Sequence, residues 1–417
     1  MSTSTNFQQG SLLRGVTAGL FALMLAVFAM PAQAQMGDGE FPKVDVGGAV
    51  SSDAQAIIVD ERDDNDDFDT SLGFNRVAAQ IQTSVQFSEN VSGYIELSAE
   101  PEENEDFSKV DPNVDFVYVN VDLTPNLMAQ AGTPGIGISN FPRWSDGALV
   151  QGNPLVGNSV AQTGTAGNGG IKLIGSYPEF GFDLTVTRNF GGGVDVTSGQ
   201  NPSSSGLNVS KAGSGVDIYG TARYTGADLF SVGAGAAFAT GDKGLAIANG
   251  DGDYYNVPDA IETGGVNNPS GFSNHPTLPS DFMVQVDGEV TPGALSANAA
   301  IGYASQSDKQ VTVFGSTSEV DQAALFGVLG AKYDLTDDFF AAGRFSIARD
   351  QTDGAEDLDV RSVSRFALGV GYTYQATMLK LEYANQSQAG DTGDVATPLA
   401  NQSRDWQAIT AQFSVAF

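Results

Sequence analysis

A series of charged side chains sits on the polar phase of segments that alternate every second residue between oily and polar: Arg76, Glu96, Asp122, Lys172, Asp217, Arg223, Asp287, Arg344, Arg365 and Lys380. Around Arg76 the polar phase holds Gln80, Gln82 and Gln86, and the other phase holds Val77, Ala79, Ile81, Val85 and Phe87. A two-residue period is that of a strand, so each set belongs on one face of a sheet. Lys332, Asp183, Glu289 and Glu382 fall on the same phase, and the two signs nearly balance. Such groups, spread along a wall, do no bond-making chemistry. They shape the field felt by a passing ion.

Catalysis finds no matching constellation. The single histidine, His275, lies between Asn274 and Pro276 in a polar stretch, with no strand-held partner for a nucleophile and base. No Walker loop or zinc signature is present, and no cofactor is implied. The acidic run Asp63, Asp64, Asn65, Asp66, Asp67 lacks the glycine and closing glutamate of an EF-hand, and Asn249-Gly250-Asp251-Gly252-Asp253 is no better. Both read as solvated loops, and no metal site is assigned.

Against 50 Asp plus Glu stand 19 Lys plus Arg, a formal charge of −31, which repels nucleic acid and anionic lipid. Cysteine is absent, so hydrogen-bonded strands and packing must supply stability. With 51 glycines, 9% aromatics and 17% charged residues, the composition suits many strands joined by turns. No apolar stretch after residue 34 is long enough for a membrane-spanning helix.

The alternating segments predict strands at 44–51, 76–87, 92–100, 114–123, 127–133, 171–177, 182–190, 216–225, 229–240, 282–291, 295–305, 320–334, 339–349, 362–374, 378–387 and 404–417, about sixteen in all. Short turns join them in pairs, and between the pairs lie long polar loops at roughly 52–74, 101–113, 134–168, 191–214, 241–280, 306–319, 350–361 and 388–403. These loops vary too widely for a solenoid. The chain is too short for a plugged barrel of about 22 strands. An oily face paired with a polar one points to a closed barrel with hydrocarbon outside and water inside, since a soluble sandwich would bury the oily face. Sixteen strands enclose an aqueous channel, whereas eight would be filled by side chains.

The two ends fit that reading. Residues 1–34 carry one charge, Arg14, then an apolar run from Val16 to Met30, then Pro31-Ala32-Gln33-Ala34, as in a secretory signal peptide cleaved after Ala34; the run is short for a membrane anchor. Residues 35–417 would form the barrel. In the last segment Ile409, Ala411, Phe413, Val415 and Phe417 share one face, and Ala408, Thr410, Gln412, Ser414 and Ala416 share the other. Ending on Phe417, the chain resembles bacterial outer-membrane β-barrel proteins, whose final strand typically ends in phenylalanine. In strand number, signal, terminal residue and length it resembles the general porins.

That resemblance implies an all-β transmembrane antiparallel barrel with short periplasmic turns and long extracellular loops, embedded among outer-membrane lipid and lipopolysaccharide, as a homotrimer. It implies passive diffusion of small hydrophilic solutes and ions, with a third loop folded inward to narrow the lumen. Here that loop contains Phe141-Pro142-Arg143-Trp144-Ser145-Asp146, so Arg143 and Asp146 join the expected pore-lining set, with an outer rim as the alternative place for them. The stretch Pro178-Glu179-Phe180-Gly181-Phe182-Asp183 is similar to one in the constriction loop of enterobacterial porins, but its position reads as a short turn. The acidic loops predict a mild cation preference. Two other functions share the scaffold: a channel specific for phosphate, sugar or another nutrient, hinted at by Asp122-Leu123-Thr124-Pro125-Asn126-Leu127, and a non-conducting adhesin or structural barrel.

Overall fold

Strand-forming segments with one oily face cannot end in an open edge inside hydrocarbon, and this chain closes on itself. The computed structural model describes residues 41–60, 68–101, 110–139, 149, 169–188, 216–226, 229–240, 281–313, 316–351, 362–389 and 405–417. They form sixteen strands: β1 (Lys43–Asp60), β2 (Phe68–Ser88), β3 (Val91–Pro101), β4 (Val110–Thr124), β5 (Leu127–Gly132), β6 (Gly170–Ser176), β7 (Phe180–Arg188), β8 (Val216–Gly226), β9 (Phe230–Ala239), β10 (Phe282–Val290), β11 (Leu295–Val313), β12 (Ser316–Asp334), β13 (Phe339–Asp350), β14 (Ser362–Tyr374), β15 (Thr377–Ala389) and β16 (Trp406–Ala416). Each pairs antiparallel with its sequence neighbours, and β1 pairs with β16 to complete the barrel.

The oily phase is on the outside. Along β9, Phe230, Val232 and Phe238 are exposed, while Ser231, Ala237 and Ala239 are buried on the inner side. Along β16, Ile409, Phe413 and Phe417 are exposed, and Ala408, Thr410 and Gln412 are buried. Aromatic rings cluster near the short turns, among them Phe87, Tyr177, Phe180, Tyr224, Phe230 and Tyr333, and Phe339 sits 4.5 Å from Tyr372. On β14 the outer face runs from Tyr374 to Phe366, a stretch of about eight residues. At about 3.4 Å rise and about 40° tilt that is ~21 Å, near the ~25 Å apolar band of an outer-membrane barrel.

Phe417 extends the β1–β16 seam by one more pair. Its amide donates to Gly48 O and its carbonyl accepts from Gly48 N, both at 2.9 Å. Its ring lies over Gly48, where an added Cβ would come within 2.6 Å of the ring and 2.5 Å of Gln80 O.

Several strands run past the ends expected from hydrophobic alternation. The predicted loops at 52–74 and 306–319 are largely strand, with β1 and β2 paired from Lys43–Gln86 to Asp60–Phe68, and β11 and β12 paired out to Val313–Ser316. Likewise β3 reaches Pro101 and β4 begins at Val110. A ladder beyond hydrocarbon needs no oily face, because backbone pairing alone satisfies its polar groups. Asp350, expected in a loop, ends β13 with its side chain buried on the inner face. The Pro178-Glu179 pair lies in the short β6–β7 turn, where Tyr177 N donates to Phe180 O at 2.8 Å.

Gly48→Val should weaken barrel closure, lowering the urea midpoint of heat-modifiable folded protein by an amount equivalent to about 2–4 kcal/mol. Gly181→Ala, whose new methyl meets nothing nearer than Gly175 O at 3.6 Å, should leave that midpoint unchanged. Equal midpoints for the two variants would show that the Phe417–Gly48 contact does not govern closure.

Candidate functional site: the lumen and its inward loop

The third long connection leaves the wall at Gly132, whose φ of +138° and tight approach to Val117 O exclude a side chain. Thr133 still holds the wall, its amide donating to Val117 O at 2.7 Å. Beyond it the chain turns into the barrel. Ile136 and Ile138 are buried among Tyr219, Ala237, Met283, Ala304 and Phe326, the inner face of β8–β12. Further along, Leu149 packs with Ala342, Ala367, Ala384, Trp406 and Ala408, the inner face of β13–β16. One connection therefore touches walls on both sides of the lumen.

Small wall residues make room for it. Gly235 on β9 faces inward, and an added Cβ would stand 1.9 Å from Ile138 O. Burying each isoleucine contributes about 2 kcal/mol. Two lysines also reach the loop, Lys172 Nζ to Gly135 O and Lys380 Nζ to Leu149 O, both at 3.4 Å. Those bonds are long and weak, so packing of Ile136 and Ile138 against small residues does most to position the loop.

The charged residues divide by depth. Lys172 pairs with Asp183 at 3.0 Å and is nearly covered. Asp217 accepts from Tyr219 Oη at 3.0 Å, and Asp287 accepts from Gln285 Nε2 at 3.0 Å. Arg365 donates through Nε and Nη2 to Gln386 Oε1 at 3.1 and 2.7 Å and lies 5.2 Å from the Trp406 ring centre. Lys380 and Glu382 are buried further along β15, opposite Gly371 and Gly369. Losing one partner of a buried pair such as Lys172–Asp183 costs about 3–5 kcal/mol, so these groups are structural as well as electrostatic.

Nearer the short turns the lumen is wetter. Arg223 meets Glu289 at 3.5 Å with side chains 40% and 32% exposed, a contact worth about 0–1 kcal/mol. Lys332 meets Asp334 at 2.8 Å in a similar setting, Asp122 is exposed at the end of β4, and Arg344 is half-buried on β13. Arg76 lies on β2 opposite Asp53, but its side chain is outside the described residues. Arg143, Trp144, Asp146, His275 and the two acidic runs at 63–67 and 249–253 are also outside them. Among the described residues no cluster of three or more His, Cys, Asp or Glu could hold a metal ion.

Sequence reasoning missed Asp115 on the β3–β4 wall. Glu96 opposes Phe116 and Leu97 opposes Val114, so Asp115 is an extra residue in β4. That bulge reverses the alternation, leaving Val114 and Val117 both exposed outside and turning Asp115 inward, where Ser98 Oγ donates to Asp115 Oδ1 at 2.9 Å. The adjacent apolar pair Phe116-Val117 was its signal in the sequence.

No family model matches the chain, and no curated protein does either. Among solved structures, the anion-selective porin from Comamonas acidovorans aligns with a TM-score of 0.54 at 10% identity, covering 90% of this chain and 100% of that one. This chain has the fold of the outer-membrane porins. OmpT, an outer membrane protein of Vibrio cholerae in its trimer form, gives 0.54 at 11% identity, covering 91% of this chain and 100% of its own. The outer membrane channel DcaP of Acinetobacter baumannii gives 0.52 at 13% identity, covering 90% of this chain and 97% of that one. At such identities the porin barrel is the shared property.

Gly235→Leu should push Ile138 off the β9 wall and raise single-channel conductance by about 1.5-fold or more, as the loop no longer narrows the lumen. Lys380→Met should change it less, because its bond to Leu149 O is long. A Gly235→Leu channel with wild-type conductance would show that this contact does not set the width.

Proposed function

We propose that this protein is a passive diffusion channel for small hydrophilic solutes and ions across the outer membrane. The observation that carries the proposal is the pairing of an apolar outer surface with a charged, hydrogen-bonded inner wall, which an inward connection touches at Ile136, Ile138 and Leu149. Residues such as Asp122, Arg223 and Arg344 line its wetter part. Arg76, Arg143 and Asp146 complete the expected lining, and Glu96, Lys172, Asp217, Asp287, Arg365 and Lys380 shape the field from within the wall.

We further propose a mild cation preference. The overall charge of −31 draws cations to the mouths. The basic groups that would form an anion path are engaged, Lys172 by Asp183 and Arg365 by Gln386, so no ladder of free arginines descends the described wall. In this reading the short turns face the periplasm, the longer connections face outward, residues 1–34 are removed on export, and three copies assemble as a homotrimer. OmpT in trimer form and the selectivity named for the Comamonas porin are properties of those proteins; the fold they share with this chain supports the channel reading.

Across a planar bilayer with a tenfold KCl gradient, the reversal potential should have the sign of K⁺ preference. The preference should shrink as salt rises from 0.1 M to 1 M, because the Debye length falls from about 10 Å to 3 Å. A Cl⁻-selective current at low salt would refute the preference, and the absence of any current would refute the channel.

A further inference from the structure

The inner wall is not uniform around the ring. On β8–β10 and β13–β16 inward side chains such as Tyr219, Gln285, Arg365, Lys380 and Thr410 are buried, and the inward connection's anchors Ile136, Ile138 and Leu149 pack on that side. The inward positions of β2–β4 differ: Gln80, Ser84, Tyr94, Phe116 and Tyr118 are half-buried, and Gln82 is exposed. Their ladder partners place all of these on the lumen phase, so the surface they leave uncovered faces the lumen.

That surface is aromatic and rich in hydrogen-bonding groups. The bulge at Asp115 shifts β4 by one residue, so Phe116, Tyr118 and Asn120 point inward where unbroken alternation from Val114 would point them at lipid. Tyr94 and Tyr118 stack at 5.0 Å between ring centres, and Phe116 meets Tyr118 edge to face at 6.5 Å. Carboxamides and hydroxyls flank the rings: Gln130 Nε2 donates to Asn120 Oδ1 at 3.0 Å, and Asn120 Nδ2 to Ser92 Oγ at 3.2 Å. Tyr94 Oη reaches two acceptors, Glu96 Oε2 and, at 3.0 Å, Gln82 Oε1, with a single proton to give. One of those two oxygens is therefore always left for a donor from the lumen. No lysine or arginine stands among the described inward side chains of β2–β4.

We propose that the β2–β4 wall is a binding site for neutral sugars. Resting on the channel reading, it gives that channel a preferred solute class. A sugar ring carries an apolar C–H face, which an aromatic ring can cover, and a rim of hydroxyls. Each hydroxyl both gives and accepts a hydrogen bond, as do the carboxamides and hydroxyls of this wall. An ammonium ion brings no acceptor to them, and an anion brings no donor. The contacts stay open to water on one side, so binding is weak enough for the solute to leave again, as conduction requires.

The test follows KCl current through the purified full-length protein in planar bilayers as maltose is added, with glycerol as a hydroxyl-bearing solute that has no ring. Maltose should reduce the current, with half-block in the millimolar range, and glycerol at equal concentration should not. Phe116→Leu and Tyr118→Leu, which keep apolar bulk but remove the flat face, should each raise the half-blocking concentration about threefold to tenfold. Phe345→Leu, the same change on the outer face of β13, should leave it within about twofold. Folding of every variant is checked by heat-modifiable mobility. A wild-type current untouched by maltose, or equal block in the wild type and the two β4 variants, would overturn the sugar site while leaving the channel intact. If no KCl current flows, the channel reading fails, and saturation-transfer NMR of maltose with the protein in a sugar-free detergent decides the site: transfer to the sugar C–H protons that falls in Phe116→Leu supports it, and no transfer in the wild type refutes it.

Discussion

The requirement that no backbone N–H or C=O be left unpaired in hydrocarbon dictates the rest of this molecule. A strand satisfies only half its groups with one neighbour, so the sixteen strands must form a ring, and the pairing of β1 with β16 removes the last edge. Closure then assigns the two faces of every strand. Ile409 and Phe413 are oily and exposed on the outer face, and Thr410 and Gln412 are polar and buried on the inner one. With no cysteine to cross-link the ring, the ladder and the contact of Phe417 with Gly48 hold the seam.

Inside, packing and electrostatics divide the work. The inward loop is placed by isoleucines against a smooth patch of glycine and alanine, and the buried charges are placed by neutral partners and by each other. These two kinds of contact differ in strength. Ile136 and Ile138 together contribute about 4 kcal/mol, several times the Arg223–Glu289 contact at the wet end of the lumen. Apolar contact therefore does more than charge to hold the inward loop against the wall.

Much of this architecture is legible in the sequence, and the illegible part has physical causes. Alternation in 408–417 and in 76–87 revealed the faces because hydrocarbon selects oily residues at every second position. It gave no sign that β1, β2, β11 and β12 extend through 52–60, 68–75, 306–313 and 316–319, because beyond the lipid the same ladder tolerates any residue. The purpose of Gly235 depends on Ile138, about a hundred residues earlier, and no local pattern encodes that contact. Asp115 was concealed by an assumption of unbroken alternation, and the Phe116-Val117 pair marks where it breaks.

The central claim, hydrocarbon outside and water inside one closed ring, is tested most directly by spin labels scanned along β4. The chain has no cysteine of its own, so a single cysteine introduced at Val119, Asn120, Val121 or Asp122 gives one label without background. In lipid vesicles, collisions with oxygen should dominate at 119 and 121, and collisions with a water-soluble nickel chelate at 120 and 122. The reverse alternation, or none, would contradict the account.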